Sequence, residues 1–296
     1  MSAEYFEARE RALLGERYDT LYAAPQETAA RGVTVSALRT TPEEFAARAD
    51  FPLRPSPFCK AAFVVEQPDF KPGRHPYHHA GVFYSQEPSA SSAAPLLGVK
   101  PGMRVLDLCA APGGKTILLA EQMQGTGELY SCDAAENRVG LIRTAVDRMG
   151  FAGVHTLCND ATRPNPALPM ADRILTDVPC SGLGILAKKP DLRYKKLETA
   201  RQAELLATQA AILNTAAALL KAGGRLVYST CTIDPAENQQ QIAAFLQRHP
   251  EFAVCAPDVP LPAGMAAGEY GCLSVPTRTG MDGFFLCVLQ KAAGTQ

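Results

Sequence analysis

Short apolar runs alternate with amphipathic segments along the last two thirds of the chain, and this alternation predicts strands that are each followed by a helix. MRVLDLCA (103–110) is apolar on both faces, as a buried strand is, and GGKTILLAEQM (113–123) has helical periodicity. Because the pattern recurs, we expect an α/β fold with a doubly wound, mostly parallel sheet. The further strands are expected in GELYSCD, VHTLCND, RILTDVP, GRLVYST and GFFLCVLQ, and the further helices over residues 135–149, 197–220 and 236–248.

The first third of the chain has a different pattern, which predicts a small α+β module. Amphipathic spacing over residues 3–30 and the sequence TPEEFAARA (41–49) predict helices, whereas GVTVSAL (32–38) alternates as a strand does. The proline-rich stretch 51–76 is expected to interrupt regular structure. We therefore predict two domains, over residues 1–92 and 93–296.

Composition and charge exclude several classes of protein. The 296 residues are 47% hydrophobic and 20% charged with a net charge of −1, so a nucleic-acid partner would need a local basic patch. No apolar run has the length of a transmembrane helix, and the charged start MSAEYFEARERALL is unlike a signal peptide. The nine cysteines contain no C-x-x-C pair and the five histidines no ligand spacing, so we expect cytoplasmic, reduced thiols and no metal site.

The turn DLCAAPGGKT (107–116) joins the first strand of the larger domain to its helix, and its small residues let the backbone approach a ligand closely. A phosphate-binding P-loop would need glycine where Cys109 stands, and the dinucleotide motif G-x-G-x-x-G is absent. A ligand without a pyrophosphate relaxes both requirements. S-adenosylmethionine is such a ligand, and we expect it here.

Two carboxylates follow the next two strands of the predicted sheet. Asp133 follows Gly113 at the spacing at which a carboxylate commonly binds a ribose hydroxyl in this topology. Asp160 follows the third strand, where an adenine ring would be within reach. Each aspartate alone is equally typical of a helix N-cap, but ligand-type residues at three successive strand ends favour a cofactor site.

Two cysteines stand just past neighbouring strands, Cys180 in DVPC and Cys231 in STC. A thiol beside a methyl donor suits methylation of a pyrimidine at C5, because a thiolate that adds to C6 gives C5 carbanion character. Addition is easier when N3 receives a proton, which Asp177 would give if apolar surroundings keep it protonated. The second thiol would assist release of the product. The remaining cysteines apart from Cys109 are interpreted as packing: Cys59, Cys132, Cys158, Cys255, Cys272 and Cys287.

These segments resemble the Sun/Fmu (Nol/Nop/Sun) family of RNA cytosine-5 methyltransferases. DLCAAPGGKT, DVPCSGLG, YSTCTIDPAEN and DGFFLCVL match its cofactor, Pro-Cys, Thr-Cys and closing motifs, and the similarity runs from about Arg31 onward. The stretch from HHAGVFYSQEP to the cofactor motif is most similar to the bacterial branch that acts on 16S ribosomal RNA. The resemblance implies a Rossmann-like, seven-stranded methyltransferase sheet and an N-terminal module of RNA-binding type.

The resemblance also implies roles for single residues. Cys231 is implied as the nucleophile and Cys180 as the residue that helps to free the product. DNA cytosine methyltransferases attack with the Pro-Cys thiol, so the presence of both motifs favours RNA. For Lys115, capping or ion pairing is an alternative to ligand contact. Cofactor contacts are implied at Cys109, Ala110, Ala111, Pro112, Gly113, Gly114, Lys115, Asp133, Arg138, Asp160 and Asp177.

Two local clusters are candidates for RNA contacts. KKPDLRYKK (188–196) has five basic residues and one acid directly after the Pro-Cys loop, with Tyr194 available to stack on a base, although a solvated loop has the same composition. A second cluster either lines the path of the RNA or packs the junction between the domains: His75, Tyr77, His78, His79 and Tyr84.

From the sequence we predict an S-adenosylmethionine-dependent RNA methyltransferase that forms 5-methylcytosine in 16S rRNA. The target base must lie outside any helix, because the thiol and the methyl group approach opposite faces of its ring. Transfer RNA is the alternative substrate. An inactive RNA-binding factor for ribosome assembly is the alternative class, which intact Cys180, Cys231 and Asp177 disfavour.

Overall fold

The structure is a computed structural model, and it describes residues 3–16, 18–19, 31–67, 69–186, 188–194, 199–257, 261, 264–274 and 282–294. The first third forms a module whose four strands pair antiparallel in the order β2-β3-β1-β4, with the elements α1 (Ala3–Leu14), β1 (Arg31–Val35), α2 (Pro42–Arg48), β2 (Leu53–Pro55), β3 (Ala62–Val65), α3 (Pro76–His79) and β4 (Phe83–Ser85). The helix predicted over residues 3–30 ends at Leu14, and residues 20–30 lie outside the described part of the chain.

A capping box starts α2 where the sequence predicts a helix. The Thr41 side chain accepts a hydrogen bond from the Glu44 backbone, and the Glu44 carboxylate accepts one from the Thr41 backbone. The helix thereby delivers Phe45 to an aromatic core under the module's sheet. The prediction for residues 51–76 is wrong, because β2 and β3 lie there; Pro55 is tolerated since β2 is an edge strand.

The larger domain is built on a five-stranded parallel core. Its strands pair in the order β7-β6-β5-β8-β9 with helices between them, so the predicted doubly wound arrangement is confirmed. Within the described ranges, no helix has the length and apolar composition to span a membrane. The elements are α4 (Ala93–Leu97), β5 (Arg104–Asp107), α5 (Gly114–Met123), β6 (Glu128–Asp133), α6 (Glu136–Met149), β7 (Val154–Cys158), β8 (Ala171–Asp177), α7 (Thr199–Leu219), β9 (Leu220–Thr230), α8 (Gln239–Arg248), β10 (Phe252–Val254), β11 (Met265–Gly268), β12 (Gly271–Ser274) and β13 (Phe284–Lys291).

The described residues place nine strands in this sheet, rather than the seven that the resemblance implies. β13 runs antiparallel to β9, and its outer edge is shared by two short strands, β12 along its first half and β10 along its second. β11 forms a hairpin with β12. The additional strands are therefore short pieces at one edge, and the parallel core is unchanged.

Side chains of β9 alternate between two hydrophobic clusters, one on each face of the sheet. Leu226 and Tyr228 pack with residues of α7 and α8, whereas Val227 packs with residues of α4 and α5. All three side chains are fully buried. Because both faces of the sheet are covered, the strand is apolar at successive positions instead of alternating with polar residues.

The N-terminal module docks on the larger domain through β4 and the residues before it. Arg148, near the end of α6, donates from Nη1 to the carbonyls of His78 at 2.6 Å and Phe83 at 3.4 Å. The Tyr84 hydroxyl donates to the carbonyl of Pro112 at 3.3 Å. His78 and Tyr84 of the predicted aromatic cluster therefore pack at the domain junction, which is the second of the two alternatives.

Candidate active site

The carboxyl ends of β8 and β9 bring two cysteines into contact. The strands are parallel neighbours, and Asp177 is aligned with Ser229, so the loops that follow leave the sheet at the same edge. Cys180 and Cys231 lie just inside those loops, and their sulfur atoms are 3.3 Å apart. Both side chains are partly exposed, and both line one cavity.

The cavity has a volume of about 1080 Å³. Predicted residues that follow five parallel strands line it: Cys109 after β5, Asp133 and Arg138 at and after the end of β6, Asp160 after β7, Asp177 and Cys180 at and after the end of β8, and Cys231 after β9. The rest of the predicted cofactor turn does not line it, namely Ala110, Ala111, Pro112, Gly113, Gly114 and Lys115. The structure thus gathers the strand-end side chains in one wall and leaves most of the turn outside that wall.

The two glycines of the turn serve its own conformation and packing. Gly113 has a φ of 112°, which side chains rarely adopt. A Cβ on Gly114 would lie 3.0 Å from Tyr84 Cε1 and 3.2 Å from Gln86 Nε2. Gly114 is therefore in close contact with the N-terminal module, whereas its small size was expected to serve the approach of a ligand.

Asp133 is a buried carboxylate, 3% exposed, on the cavity wall. Its Oδ1 accepts a hydrogen bond from the Ala135 backbone at 3.3 Å and lies 3.3 Å from Arg138 Nη1. Arg138 also donates from Nη2 to the carbonyl of Ala111 at 3.3 Å, which connects the predicted cofactor turn to α6. Asp133 is not the N-cap of α6, since Ala135 occupies that position.

Asp160 and Asn159 form the wall after β7. Asp160 Oδ1 accepts from the Thr162 hydroxyl at 2.6 Å and its backbone at 3.0 Å, and these hydrogen bonds lower the pKa of Asp160. Asn159 is 6% exposed, and its Oδ1 accepts from Asn165 Nδ2 at 2.9 Å. Its own Nδ2 has no hydrogen-bond partner among the described residues. A buried, unpaired donor on a cavity wall is suited to an acceptor atom of a ligand.

These features fit S-adenosylmethionine. The cavity is in the size range of small-molecule sites. The Asp133 carboxylate is suited to ribose hydroxyls, and the unpaired Asn159 amide is suited to an acceptor of a purine ring. No group of three potential metal ligands is found in the part of the chain that the structure describes.

Asp177 accepts two hydrogen bonds, from Lys115 Nζ to Oδ2 and from Ser229 Oγ to Oδ1, both at 2.7 Å. Burial lowers the pKa of Lys115, but the carboxylates of Asp177 and Asp107 outweigh burial and raise it above the ordinary value. Lys115 is therefore an ammonium that pairs with Asp177, as the alternative interpretation proposed. The expectation of apolar surroundings for Asp177 is wrong, because Lys115 and Ser229 both donate hydrogen bonds to its carboxyl group.

Two thiols on the cavity wall, those of Cys180 and Cys109, have a raised pKa. The hydrogen bond with Cys231, followed by burial, raises the pKa of Cys180 well above its ordinary value. Cys180 therefore keeps its proton at neutral pH and is able to donate it to the sulfur of Cys231, 3.3 Å away. Burial also raises the pKa of Cys109 well above the ordinary value, so Cys109 is a poor nucleophile at neutral pH.

Basic side chains also line the cavity, and two of them were not predicted. Arg9 of α1 and Arg201 of α7 line it together with Lys189. Both arginines lie within helices and outside the quoted motifs, so their local sequence carries no signal of a site. Ser229 was missed as well, although it directly precedes the Thr-Cys motif.

The predicted basic segment after the Pro-Cys loop is only partly available to RNA. Lys188 Nζ donates to Asp282 Oδ2 at 2.7 Å and is thereby paired within the chain. Tyr194 is 57% exposed, as stacking on a base requires. Lys195 and Lys196 lie outside the described residues.

The fold is that of a Rossmann-like α/β protein, with a pair of cysteines at the edge where its parallel strands end. The chain belongs to the RsmB/F family of 16S rRNA methyltransferases. The family model "16S rRNA methyltransferase RsmB/F" matches residues 94–290, and the model "N-terminal domain of 16S rRNA methyltransferase RsmF" matches residues 3–88. The resemblance inferred from the motifs is confirmed.

Several known proteins are similar to this chain. The "Probable ribosomal RNA small subunit methyltransferase B" of Bacillus subtilis (strain 168) is 41% identical over 216 residues, which are 70% of this chain and 47% of that protein. The "Ribosomal RNA small subunit methyltransferase F" of Escherichia coli O157:H7 is 33% identical over 288 residues, 93% of this chain and 60% of that protein. The chain thus spans about half the length of the first of these curated relatives. A crystal structure of a methyltransferase homologue from Pyrococcus horikoshii superposes with a TM-score of 0.82 at 27% identity, covering 97% of this chain and 93% of that one.

Proposed function

We propose that this chain transfers a methyl group to C5 of cytosine in RNA, with 16S rRNA as the substrate. The observation that carries the proposal is the 3.3 Å contact between the sulfurs of Cys180 and Cys231 on the wall of a ligand-sized cavity. Methylation at pyrimidine C5 requires covalent addition at C6, for which a thiol is the suitable nucleophile. Family membership supports the choice of RNA, since similar proteins are named as small-subunit ribosomal RNA methyltransferases.

Cys231 is the nucleophile in this proposal. Because Cys180 keeps its proton, it is proposed as the donor of the sulfur–sulfur hydrogen bond and Cys231 as the acceptor. Cys231 gives up its own thiol proton to water, its sulfur forms a bond to C6 of cytosine, and the electrons of the C5–C6 double bond move to C5. Cys180 is less suited to this step, since its raised pKa makes its proton harder to remove.

Asp177 is proposed to hold the edge of the base. It already accepts hydrogen bonds from Lys115 and Ser229, and both groups fix its orientation. A carboxyl oxygen so placed is suited to accept a further hydrogen bond from N3 of cytosine once N3 has taken up a proton from water, which it returns when the product leaves. Protonation at N3 withdraws electrons from C6 and so favours the addition of the thiol.

When bound, S-adenosylmethionine supplies an electrophilic methyl group at its sulfonium. Asp133 would hold its ribose hydroxyls and Asn159 Nδ2 an acceptor of its adenine. Cys109, Arg138 and Asp160 complete the cavity wall on this side. The walls of the same cavity include both thiols, so one cavity would serve the donor and the reacting base.

Cys180 is proposed to assist release of the product. After methylation the C5 proton passes to water, the electrons of the C5–H bond restore the C5–C6 double bond, and the C6–S bond breaks, so Cys231 leaves with the bonding electrons. The Cys180 thiol, 3.3 Å from that sulfur, stabilises it by donating a hydrogen bond. Without this donor, the covalent adduct should persist.

The cations at the cavity are proposed to bind the RNA backbone. Arg9, Lys189 and Arg201 line the space beside the thiols and are suited to phosphates that flank the target nucleotide. The base has to be extruded from any helix to reach Cys231. We place this activity in the cytoplasm, where ribosomal RNA is available in bacteria.

The proposal is tested by bisulfite sequencing after incubation with S-adenosylmethionine. Free 16S rRNA, small ribosomal subunits and total transfer RNA serve as substrates, and the Cys231→Ala variant is the control for each. A protected cytosine in 16S rRNA supports the proposal, and one in transfer RNA supports the same chemistry on the alternative substrate. Absence of protection in all three, with RNA still bound, would indicate an assembly factor and overturn the proposed activity.

A further inference from the structure

Glu237 and Asn238 are consecutive residues in the segment between β9 and α8, and both are fully buried. They belong to the Thr-Cys motif YSTCTIDPAEN, in which the cysteine was the one residue expected to have a catalytic role. Burial of a carboxyl group next to an amide is costly unless their polar atoms have partners. Their hydrogen bonds go to the chain on either side of the two thiols.

Asn238 holds both chain neighbours of Cys231. Its Oδ1 accepts a hydrogen bond from the Thr230 hydroxyl at 2.6 Å, and its Nδ2 donates to the carbonyl of Thr232 at 2.9 Å. Both threonines are fully buried, so water cannot replace these hydrogen bonds. A shift of the Cys231 backbone would therefore break a buried hydrogen bond.

Glu237 holds both chain neighbours of Cys180, one directly and the other through Gln209. Its Oε2 accepts hydrogen bonds from the Ser181 backbone and from Gln209 Nε2, both at 2.9 Å. The same nitrogen of Gln209 donates to the carbonyl of Pro179 at 2.9 Å. The Cys180 backbone is thus fixed on both sides by one buried carboxyl group.

Two further hydrogen bonds join the contacts of Glu237 and those of Asn238 into one network. The hydroxyls of Ser181 and Thr232 lie 2.8 Å apart, and they connect the loop of Cys180 to the loop of Cys231. The Tyr228 hydroxyl donates to the main-chain carbonyl of Glu237 at 2.6 Å, which anchors the segment to β9. The relative position of the two sulfurs therefore depends on hydrogen bonds centred on two consecutive residues.

The Glu237 side chain also acts on Cys180 through its charge. Burial raises the pKa of Glu237, and its Oε1 has no hydrogen-bond partner in the described part of the chain. After the hydrogen bond with Cys231, burial and the electrostatic interaction with Cys231, the ionised form of Glu237 makes a further contribution to the raised pKa of Cys180. The carboxylate thus favours the protonated form of Cys180, which is the form that can donate to Cys231.

We propose that Glu237 and Asn238 are positioning residues that hold the two thiols in contact, with Cys180 as the donor and Cys231 as the acceptor. We call these two residues the Glu–Asn clamp. Its catalytic consequence rests on the proposed cytosine methylation, because only that chemistry uses both thiols. Its geometry is a property of the folded protein alone and is measurable without RNA.

Dibromobimane, which becomes fluorescent when it joins two neighbouring thiols, reports the contact between Cys180 and Cys231. Glu237→Ala and Asn238→Ala should slow cross-linking by about tenfold, which corresponds to roughly 1.4 kcal/mol, the scale of one or two hydrogen bonds. Gln240→Ala removes an exposed side chain close by and should cross-link as the wild type does. Cys180→Ala and Cys231→Ala define the background from the other cysteines.

Glu237→Gln separates geometry from charge. Its amide oxygen can still accept from the Ser181 backbone, so cross-linking should stay near the wild-type rate. Loss of the negative charge should lower the pH at which Cys180 becomes half-reactive towards iodoacetamide, measured by mass spectrometry of its peptide. An unchanged midpoint of Cys180 reactivity overturns the electrostatic part of the proposal, because a glutamate with a purely structural role would not affect that midpoint.

If an alanine variant fails to fold, two other variants decide the question. They are Glu237→Gln and Asn238→Ser, of which the second can keep only one of the two hydrogen bonds of Asn238.

The two proposals fail in different ways. Wild-type cross-linking rates in folded Glu237→Ala and Asn238→Ala overturn the clamp, even if the protein methylates cytosine. Slow cross-linking in both variants, together with no cytosine protection by the wild type, overturns the methylation and leaves the clamp in place.

Discussion

Lys115 Nζ lies 2.7 Å from Asp177 Oδ2, and this ion pair joins the first turn of α5 to the end of β8. The two side chains are 11% and 28% exposed, so water solvates neither charge well. The cofactor turn and the Pro-Cys loop are therefore connected by a shielded pair of opposite charges. Removal of one partner should leave the other charge poorly compensated.

Lys115→Met should lower the free energy of unfolding by about 3 kcal/mol, because it leaves the Asp177 carboxylate without its cation. The double variant Lys115→Met/Asp177→Asn should recover at least half of that loss, since neither charge is then present. Urea unfolding of the wild type, both single variants and the double variant measures the coupling. Strictly additive effects of the two substitutions would show that the pair contributes no coupling. Methyl transfer should be lost in all three variants.

Cys231→Ala should abolish both turnover and the covalent protein–RNA complex, because no sulfur remains to add to C6. Cys180→Ala should instead accumulate an adduct that survives denaturing electrophoresis, since the leaving sulfur has lost its hydrogen-bond donor. Cys158→Ala, at an exposed cysteine, is the matched control and should behave as the wild type. Full activity of Cys231→Ala would refute the nucleophile assignment, and loss of activity without an adduct in Cys180→Ala would refute the release role.

Asp107 should make stability fall as the pH rises from about 4 to about 7. Its carboxyl group is fully buried, and burial raises its pKa from the usual 3.8 to about 7, although the Thr116 hydroxyl donates to it at 2.9 Å. The folded protein therefore binds this proton more tightly than the unfolded chain does. Deprotonation across this window should cost up to about 4 kcal/mol.

Asp107→Asn removes this titration. The difference in unfolding free energy, variant minus wild type, should therefore increase between pH 4.5 and 7.5, as determined by urea unfolding at pH steps of about one unit. The remaining titrating groups are common to both proteins and cancel in the difference. A difference that does not change with pH would mean that Asp107 titrates in the folded protein as it does in the unfolded chain.

Gly184→Ala should damage both the fold and the site. The Gly184 backbone donates to the Cys231 carbonyl at 2.9 Å and accepts from the Gly283 backbone at 2.8 Å, and an added Cβ would overlap the Gly283 carbonyl oxygen. We expect a loss of at least about 2 kcal/mol in unfolding free energy. Turnover should fall as well, because the Pro-Cys loop has to move away from Cys231.

Gly140→Ala is the matched control for that substitution. Gly140 lies inside α6, and its added Cβ would have no atom within 4 Å. This variant should gain about 0.5–1 kcal/mol, the helix-propensity advantage of alanine over glycine. Wild-type stability of Gly184→Ala, measured beside this control by urea unfolding, would show that the loop adapts to the extra carbon.

The parallel core and the meeting of the two thiols were predictable from local sequence. Buried strands have a distinct apolar pattern, and Cys180 and Cys231 each stand just past one of them. Since neighbouring parallel strands end at the same edge, their loops had to converge. Position along the chain was therefore sufficient to place both thiols in one site.

The contacts that hold the site were not predictable in the same way. Glu237 accepts hydrogen bonds from residues 28 and 56 positions away, and Lys188 pairs with Asp282 across 94 positions. No local periodicity encodes such partners, because they depend on how the elements pack in space. β2 was missed for another reason: Pro55 argues against a strand unless the strand is known to lie at an edge.

Tyr84 rests on the Pro112 carbonyl and against Gly114, so the last strand of the N-terminal module is in direct contact with the cofactor turn. Under the proposed function, a donor that stiffened the turn would also stiffen the module, and RNA bound to the module would stiffen the turn. Thermodynamic linkage would make such an influence mutual, so donor and RNA would raise each other's affinity by the same factor. Which of them arrives first is then a question of rates, and the fully loaded complex is equally stable by either route.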